Sequence, residues 1–274
     1  MFDASLPSAD HPLMQDRAFA AALRLCGEDP ITLPSGHVLL NRRILGAPFL
    51  MLPRAAPPPG LIAQLKTLGL HRRTLVLSPE APAPMPRSVN VAAPRILFEL
   101  DLTTPCEVRR AALHQNWRHQ LGQAERSSLR IFHRPLKPDH PLLKLDAEQS
   151  RDRRYQNWPI ALTSAFASIA PDQTHLFTAL LRGHPVAHML MLTHGSRTTD
   201  HIGHTTDQGR QLHAHNLIFW EAMNTLAARG ITMLDLGVET TDQIDRFKLR
   251  AGARAQPTGG TWLRWTPLAR RSFH

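Results

Sequence analysis

The feature that most limits the fold is a series of short apolar segments followed by one long helix. Residues 175–181, 185–192 and 198–202 are apolar runs, and glycine-containing turns at 182–184 and 194–196 separate them. This spacing predicts an antiparallel sheet. Residues 210–229 carry one apolar stripe and predict a helix that Gly230 ends, and residues 231–236 predict another strand. The pattern predicts an α+β domain.

The upstream segments predict further helices and strands. Helices are expected at 15–26 and 61–70, strands at 31–33, 38–40, 49–52, 74–77 and 96–102, and an exposed proline-rich connection at 79–86. The Thr-Pro-Cys-Glu sequence at 104–107 has the composition of a capping box and predicts the start of a helix. The buried stripe of that helix is expected to contain Leu113, Trp117, Leu121 and Ala124.

Later segments complete this prediction. A strand is expected at 129–132, one or two helices between 142 and 169, a helix at 243–250 and a closing strand at 261–265.

Length and composition limit the class of protein. With 274 residues and 42% hydrophobic content, the chain can bury a core as one large domain or two small ones. Cys26 and Cys106 form neither a disulfide framework nor a metal-ligand pattern, which favours a reducing compartment. Residues 1–13 lack the pattern of a secretion signal, and no apolar run approaches the roughly 20 residues of a membrane helix. We expect a cytoplasmic protein with no integral membrane segment.

The chain is strongly basic. Its 32 Lys and Arg residues exceed its 22 acids and give a formal charge of +10. Such a charge attracts phosphates, nucleotides, RNA or an anionic membrane surface. The abundance of arginine and proline is equally consistent with the composition of a GC-rich genome, so charge alone does not choose a partner.

Several ordered motifs resemble the FemAB-like branch of the GNAT acyltransferases. They are residues 204–220, the Leu-Asp-Leu-Gly sequence at 234–237, and Phe247-Lys248 followed by Gly252. Residues 116–125, with Trp117 and Arg118, and the helix beginning near Gln15 also resemble that family, so the likeness spans nearly the whole chain. It implies an α+β GNAT-like fold with two tandem halves and mixed, mainly antiparallel sheets. Residues 1–103 would form a degenerate half and residues 104–274 the acyltransferase half.

The resemblance also implies where an acyl donor would bind. The turn before the helix at 210–229 would present free N–H groups and a helix dipole to a pyrophosphate, with Arg210 beside it. Gln211 and His213 stand where GNAT enzymes usually have glycines. The expected donor-binding residues are Arg210, Gln211, His215, Asn216 and Phe247, although Arg210 could equally be a solvated residue and Asn216 a buried structural one.

Acyl transfer to an amine needs a proton acceptor and a stabiliser for the oxyanion. Asp235 and Glu239 flank the strand end where a GNAT sheet splays and are candidate bases, but an Asp before Gly237 is also a common turn former. Lys248 of the Phe-Lys pair is the candidate cation for the oxyanion or a phosphate. Trp117, Arg118 and His204 are the candidate acceptor contacts.

The 16 histidines do not predict a metal site. His201, His204, His213 and His215 are close in sequence, but no Cys pair or His-Glu-x-x-His spacing accompanies them. The His-Ile-Gly-His sequence at 201–204 imitates a signature of class I aminoacyl-tRNA synthetases without its context. We therefore expect no metal and no permanently bound cofactor.

Three functions are compatible with these residues. The first is an N-acyltransferase that uses acyl-coenzyme A as co-substrate, or an acyl carrier protein, and acylates an amine on a small molecule, sugar or lipid. The second is a FemAB-type transferase that takes an amino acid from aminoacyl-tRNA, which the basic charge suits. The third is a GNAT-like module that binds a ligand without catalysis.

Overall fold

The computed structural model describes residues 10–44, 46–153 and 157–264. In chain order its helices are α1 (Arg17–Leu25), α2 (Leu61–Thr67), α3 (Cys106–Ala112), α4 (Gln115–Glu125), α5 (Leu142–Arg153), α6 (Ile160–Ile169), α7 (Asp207–Gln211), α8 (Ala214–Ala228) and α9 (Asp242–Arg250). Its strands are β1 (Ile31–Thr32), β2 (Val38–Ile44), β3 (Ala47–Pro53), β4 (Thr74–Ser78), β5 (Val89–Ala92), β6 (Ile96–Asp101), β7 (Leu129–Arg134), β8 (Thr174–Leu181), β9 (His184–His194), β10 (Arg197–Thr205), β11 (Met233–Val238), β12 (Arg254–Pro257) and β13 (Thr261–Arg264). The elements confirm the predicted α+β class.

The chain divides into two compact units. One combines the described residues up to Ile96 with those at 256–264, and the other contains the described residues of Leu97–Ala255. The predicted division into related halves at residues 103 and 104 stays a prediction, because compactness does not measure relatedness.

The first unit contains a mixed sheet. Among the described residues its strand order is β1-β2-β3-β4-β13-β5, with β3 and β4 parallel and the other neighbouring strands antiparallel. Gln15 ties the start of α1 to this sheet, because its amide donates to Pro53 O at 2.7 Å and accepts from Val38 N at 2.9 Å. The core consists largely of leucines, which include Leu39, Leu50, Leu52, Leu65 and Leu75.

The second unit contains the sheet that positions the candidate site. Its order in the described chain is β12-β6-β11-β10-β9-β8-β7. Strands β7 to β10 are successive antiparallel neighbours, which confirms the predicted antiparallel arrangement of β8 to β10, whereas β10 and β11 are parallel. Helix α8 connects these two parallel strands and buries most of its side chains, including Phe219 and Met223.

Two helices expected to be continuous are broken. The residues near 104–126 form α3 and α4, and the predicted capping box is wrong because Pro105 is the N-cap and makes no side-chain cap bond. His114 begins α4 instead, since its ring accepts from Asn116 N at 3.2 Å while its backbone N–H bonds Arg250 O at 3.0 Å. The predicted stripe is nevertheless correct, because its four apolar residues are buried.

The second break separates α7 from α8. His213 lies between them with φ of 53°, in the left-handed region that non-glycine residues rarely adopt. The sequence contains no glycine or proline at this point to signal the change of direction. The ends of the molecule are only partly described: β13 matches the expected closing strand, while Trp265 and residues 1–9 lie outside the described residues.

No helix in the described part of the chain has the length and apolar character needed to cross a bilayer.

Candidate active site

The candidate site is a gap between two neighbouring parallel strands. β10 and β11 pair only through Arg197–Thr199 and Met233–Asp235, and no later pair joins them in the described chain. Both strands become irregular at this point: β10 shifts register against β9 between Asp200 and Ile202, and β11 shifts against β6 between Asp235 and Val238. We call the region after these pairs the β10–β11 gap. On its β10 side, Gly203 O accepts from Gln149 Nε2 at 3.1 Å and His201 O accepts from Asn157 Nδ2 at 3.4 Å.

Gly237 allows the irregularity in β11. Its φ of 72° lies in the left-handed region, which glycine adopts without a steric penalty. Its N–H donates to Asp235 Oδ1 at 2.8 Å, and the Asp235 side chain is fully buried. Asp235 therefore shapes the strand end, in line with the turn-forming alternative expected from the sequence. Glu239 follows β11 directly and is partly exposed.

Lys248 lies at the same strand end. Lys248 is 6% exposed, and its Nζ donates to Val238 O at 2.9 Å. The same atom lies 3.6 Å from Asp245 Oδ1 and 4.8 Å from the centre of the Phe98 ring. Burial lowers the pKa of Lys248, while the charges of Asp245, Asp200 and Asp235 act in the opposite direction. An ammonium in such surroundings interacts strongly with a nearby negative charge, because little water screens it.

Asp200 is a site residue that the sequence reasoning missed. It occupies the irregular position of β10, is only partly exposed as a residue, and its Oδ1 is buried with no hydrogen-bond partner among the described residues. Burial raises the pKa of Asp200 to about 6, the charge of Lys248 lowers it in part, and that of Asp235 adds to the rise. The available signal was an acid in the middle of a predicted strand, where aspartate is uncommon.

An aromatic cluster supports the helix that carries Lys248. The Phe247 ring lies 5.7 Å from Trp117, 5.6 Å from Phe219 and 5.4 Å from His215, measured between ring centres. Trp117 is 1% exposed, so this candidate acceptor contact is a core residue that holds α4 and α8 against Phe247. Burial lowers the pKa of His215 to about 4, and its Nδ1 lies 3.2 Å from Thr205 Oγ1.

The remaining predicted contacts lie outside this cluster. Arg118 is exposed on α4 and donates to Ala111 O at 3.2 Å. Asn216 is buried and its amide reaches Gln120 at 3.5 Å, which fits the structural alternative. His204 pairs across the strands with His188, whose pKa burial lowers to about 4. The described residues contain no group of three or more His, Cys, Asp or Glu able to hold a metal ion.

The turn expected to bind a pyrophosphate is already occupied by protein groups. Helix α7 has only five residues, and Thr206 Oγ1 accepts from Gly209 N at 3.1 Å. Asp207 stands in its first turn and forms an ion pair with Arg210, which also donates to Thr205 O at 2.6 Å. Gln211 is exposed at the end of this helix. A phosphate at α7 would therefore meet the negative charge of Asp207.

Comparison with known proteins identifies the family. The sequence profile of the acetyltransferase (GNAT) domain matches residues 109–249. The chain belongs to this family. No curated protein matches it by sequence. The GNAT profile covers β10, the gap and Lys248, so the site lies within the matched region.

Solved structures extend the likeness to the whole fold of this GNAT-family chain. FemX is 11% identical with a TM-score of 0.72, and the match covers 96% of this chain and 95% of FemX. The C-terminal domain (DUF2156) of a putative lysylphosphatidylglycerol synthetase from Agrobacterium fabrum is 11% identical with a TM-score of 0.62, over 92% and 89% of the two chains. L-PGS from Bacillus licheniformis is 8% identical with a TM-score of 0.58, over 95% of each chain. The predicted FemAB-like GNAT fold is confirmed.

Proposed function

We propose that the chain is an N-acyltransferase that joins an acyl group to an amine at the β10–β11 gap. The proposed donor is a thioester of coenzyme A or of an acyl carrier protein. The buried ammonium of Lys248 beside the gap is the observation that carries this proposal. Membership in the GNAT family supports the reaction class.

The backbone around the gap suits an extended donor arm. Beyond Thr199 and Asp235 no ladder pair joins β10 and β11 in the described chain, and the donor arm would replace the side-chain bonds that Gln149 and Asn157 make to Gly203 O and His201 O. Backbone N–H and C=O groups of this kind gain free energy by pairing with an added extended segment. A pantetheine arm carries amide groups at a suitable spacing for such pairing, so the gap would hold it with the acyl carbonyl near the strand ends.

Lys248 would then stabilise the oxyanion. When an amine attacks the acyl carbon, the carbonyl electron pair moves to oxygen, and a fixed cation lowers the energy of that charge. Val238 O and Asp245 hold the Lys248 ammonium in one position, so little reorganisation is needed when the charge develops. Loss of one such oxyanion contact typically lowers the rate by about 100-fold to 1,000-fold.

A second donor is favoured by the ion pair at α7. Asp207 opposes a pyrophosphate at the position where the resemblance expects one, which disfavours the ordinary binding mode of coenzyme A. An aminoacyl ester of tRNA needs no phosphate at α7, and the formal charge of +10 suits a nucleic acid. The second candidate is therefore aminoacyl transfer from tRNA to an amine by the same Lys248 chemistry.

The donor is tested by ligand-induced stabilisation. The melting temperature of the full chain is measured with coenzyme A, acetyl-, medium-chain and long-chain acyl-coenzyme A, an acylated carrier protein, and deacylated tRNA. A ligand that binds the native state stabilises it by RT ln(1 + [L]/Kd). Lys248→Met is the test variant, and Arg250→Met, an exposed cation on the same helix, is the matched control.

The outcomes separate the candidates. A shift with an acyl thioester supports the first candidate, and transfer of that acyl group to an amine should fall about 100-fold or more in Lys248→Met and stay unchanged in Arg250→Met. A shift with tRNA alone supports the second. Binding without transfer to any amine would instead indicate a module that has lost catalysis.

A further inference from the structure

The first unit contains a cavity of about 490 Å³ that is lined by helix α2, strand β4 and the end of the proline-rich segment at 79–86. Small-molecule sites typically have volumes of about 300–1,000 Å³, so the cavity has the size of a ligand site. Apart from Ser88 and Arg264, the described residues that line it are apolar or glycine. The cavity therefore offers an apolar surface with one cation.

The proline-rich segment forms a fixed wall of this cavity. The sequence predicts an exposed connection, but Pro79 and Met85 are buried, and Pro79 O accepts a hydrogen bond from Gly259 N at 3.1 Å. Pro84 and Pro86 line the cavity, and proline has a fixed φ and no N–H group. This wall is therefore preformed, which lowers the entropic cost of binding an apolar ligand.

Arg264 lies on the core face of the sheet. It pairs with Leu75 across β13 and β4, so both side chains project from the same face. Leu75 is 2% exposed and belongs with Leu77 and Met85 to the core cluster of this unit. Arg264 is partly buried, and among the described residues no acid forms an ion pair with it. A cation on the apolar face of a sheet departs from the usual pattern and calls for a negatively charged partner.

The lining indicates the chemistry of that partner. A guanidinium presents paired N–H donors that match the two oxygens of a carboxylate. One cation balances one carboxylate, whereas a phosphate monoester carries a charge of about −1.5 to −2 near pH 7. The other side-chain donor of the lining, Ser88 Oγ, lies 3.5 Å from Pro86 O. The surroundings of Arg264 therefore fit a single carboxylate that is attached to an apolar chain.

The parallel strands of the first unit leave no space for such a ligand. β3 and β4 pair without interruption from Phe49 with Thr74 to Pro53 with Ser78. An extended molecule cannot enter between these strands, as a donor arm would between β10 and β11. A ligand of this unit would therefore bind outside the parallel pair.

We propose that the cavity beside α2 binds a linear fatty carboxylate. Its alkyl chain lies against Leu75, Leu77 and Met85, and its carboxylate binds the Arg264 guanidinium. This inference goes beyond the proposed acyl transfer, because the cavity lies within the first unit and uses neither the β10–β11 gap nor Lys248. It gives the first unit a binding function of its own.

The test follows the Met85 methyl group by NMR of the full chain, labelled with carbon-13 at its methionine methyls. The Met85 signal is the one that disappears in Met85→Leu. Sodium decanoate, decanol and decyl phosphate are titrated separately below the concentrations at which they form micelles. We expect decanoate to shift the Met85 signal with a higher affinity than the two other compounds, because its chain and its single charge both match the site.

The variants separate the charge from the cavity. The affinity for decanoate should fall roughly 10-fold to 100-fold in Arg264→Met, because a charge-assisted hydrogen bond is lost, while the affinity for decanol should not change. Arg72→Met, which removes an exposed cation of the same unit outside the cavity, is the matched control. Ala63 is an exposed residue of α2 at the cavity, so Ala63→Phe should weaken both ligands, whereas Thr67→Phe on the same helix should not.

Any of three results would overturn the proposal. The first is a Met85 signal that decanoate does not move. The second is an equal affinity for decanoate and decanol, which would indicate an apolar groove without recognition of an anion, and the third is tighter binding of decyl phosphate. If Arg264→Met does not fold, Arg264→Lys should retain part of the affinity, and Ala63→Phe still tests the cavity. These titrations contain neither thioester nor tRNA, so their failure is distinct from failure of the proposed acyl transfer.

Discussion

Replacing Asp200 by asparagine should change how the stability of the chain depends on pH. The folded-state pKa of about 6 exceeds the ordinary aspartate value of 3.8, so the folded protein binds this proton more tightly than the unfolded chain. The stabilisation is therefore complete below pH ~4 and is lost as pH rises through about 6. A difference of about two pKa units corresponds to about 3 kcal/mol.

The assay is urea unfolding of wild type and Asp200→Asn at several pH values between about 4 and about 7.5. Asparagine does not titrate, so the variant should gain about 3 kcal/mol relative to wild type across this range. Asp172→Asn, which removes an exposed acid, controls for the change in net charge. Parallel pH profiles for wild type and Asp200→Asn would refute the reasoning, because they would mean that Asp200 has the same proton affinity in both states.

Three further changes test other parts of the site. In urea unfolding, Gly209→Ala should lower the free energy of unfolding by about 1–3 kcal/mol, because the added Cβ would lie 2.3 Å from Val186 O. Gly122→Ala in α4 is the control and should leave the free energy of unfolding unchanged or raise it. Asp207→Ala should tighten coenzyme A binding about fivefold by calorimetry if α7 receives the pyrophosphate, and unchanged affinity would place the phosphates elsewhere. Burial lowers the folded-state pKa of His201 to about 4, so the wild type loses stability as the pH falls from 6.5 to 4 and the unfolded chain binds the proton more tightly. In His201→Gln this loss of unfolding free energy should be about 3 kcal/mol smaller, as measured by urea unfolding. Equal losses in the two proteins would contradict this prediction.

The sheet and most helices could be predicted because their signals are local. The apolar runs of β8 and β9 and the apolar residues of α8 follow from the burial of these elements in the core, and glycine turns separate the strands. The Phe247-Lys248 pair could also be predicted as a site candidate, because it forms part of an ordered sequence motif. The structure places it in the polar helix α9, where Lys248 is buried.

The breaks and edges could not be predicted because distant contacts determine them. The junction of α3 and α4 depends on the bond from His114 N to Arg250 O, which joins residues far apart in sequence. The backbone of His213 is in the left-handed region, and no glycine at this position predicts it from the sequence. Strands β5 and β12 consist entirely of exposed residues, so no buried alternation marks them. Local composition carries none of this information.

The site residues likewise divide into those with a local sequence signal and those whose position depends on distant contacts. Asp235 and Glu239 could be predicted as candidates because they flank a Leu-Gly strand end, while the one local signal for Asp200 is that aspartate is uncommon inside a strand. Its importance arises from where the ladder between β10 and β11 stops, which is a property of pairing between strands more than thirty residues apart. Lys248 and Asp200 then lower each other's cost of burial, because the charge of each favours the ionised form of the other. Asp200 and Lys248 therefore depend on each other for stability, and this mutual dependence explains how the fold keeps an acid without a hydrogen-bond partner at Oδ1 among the described residues.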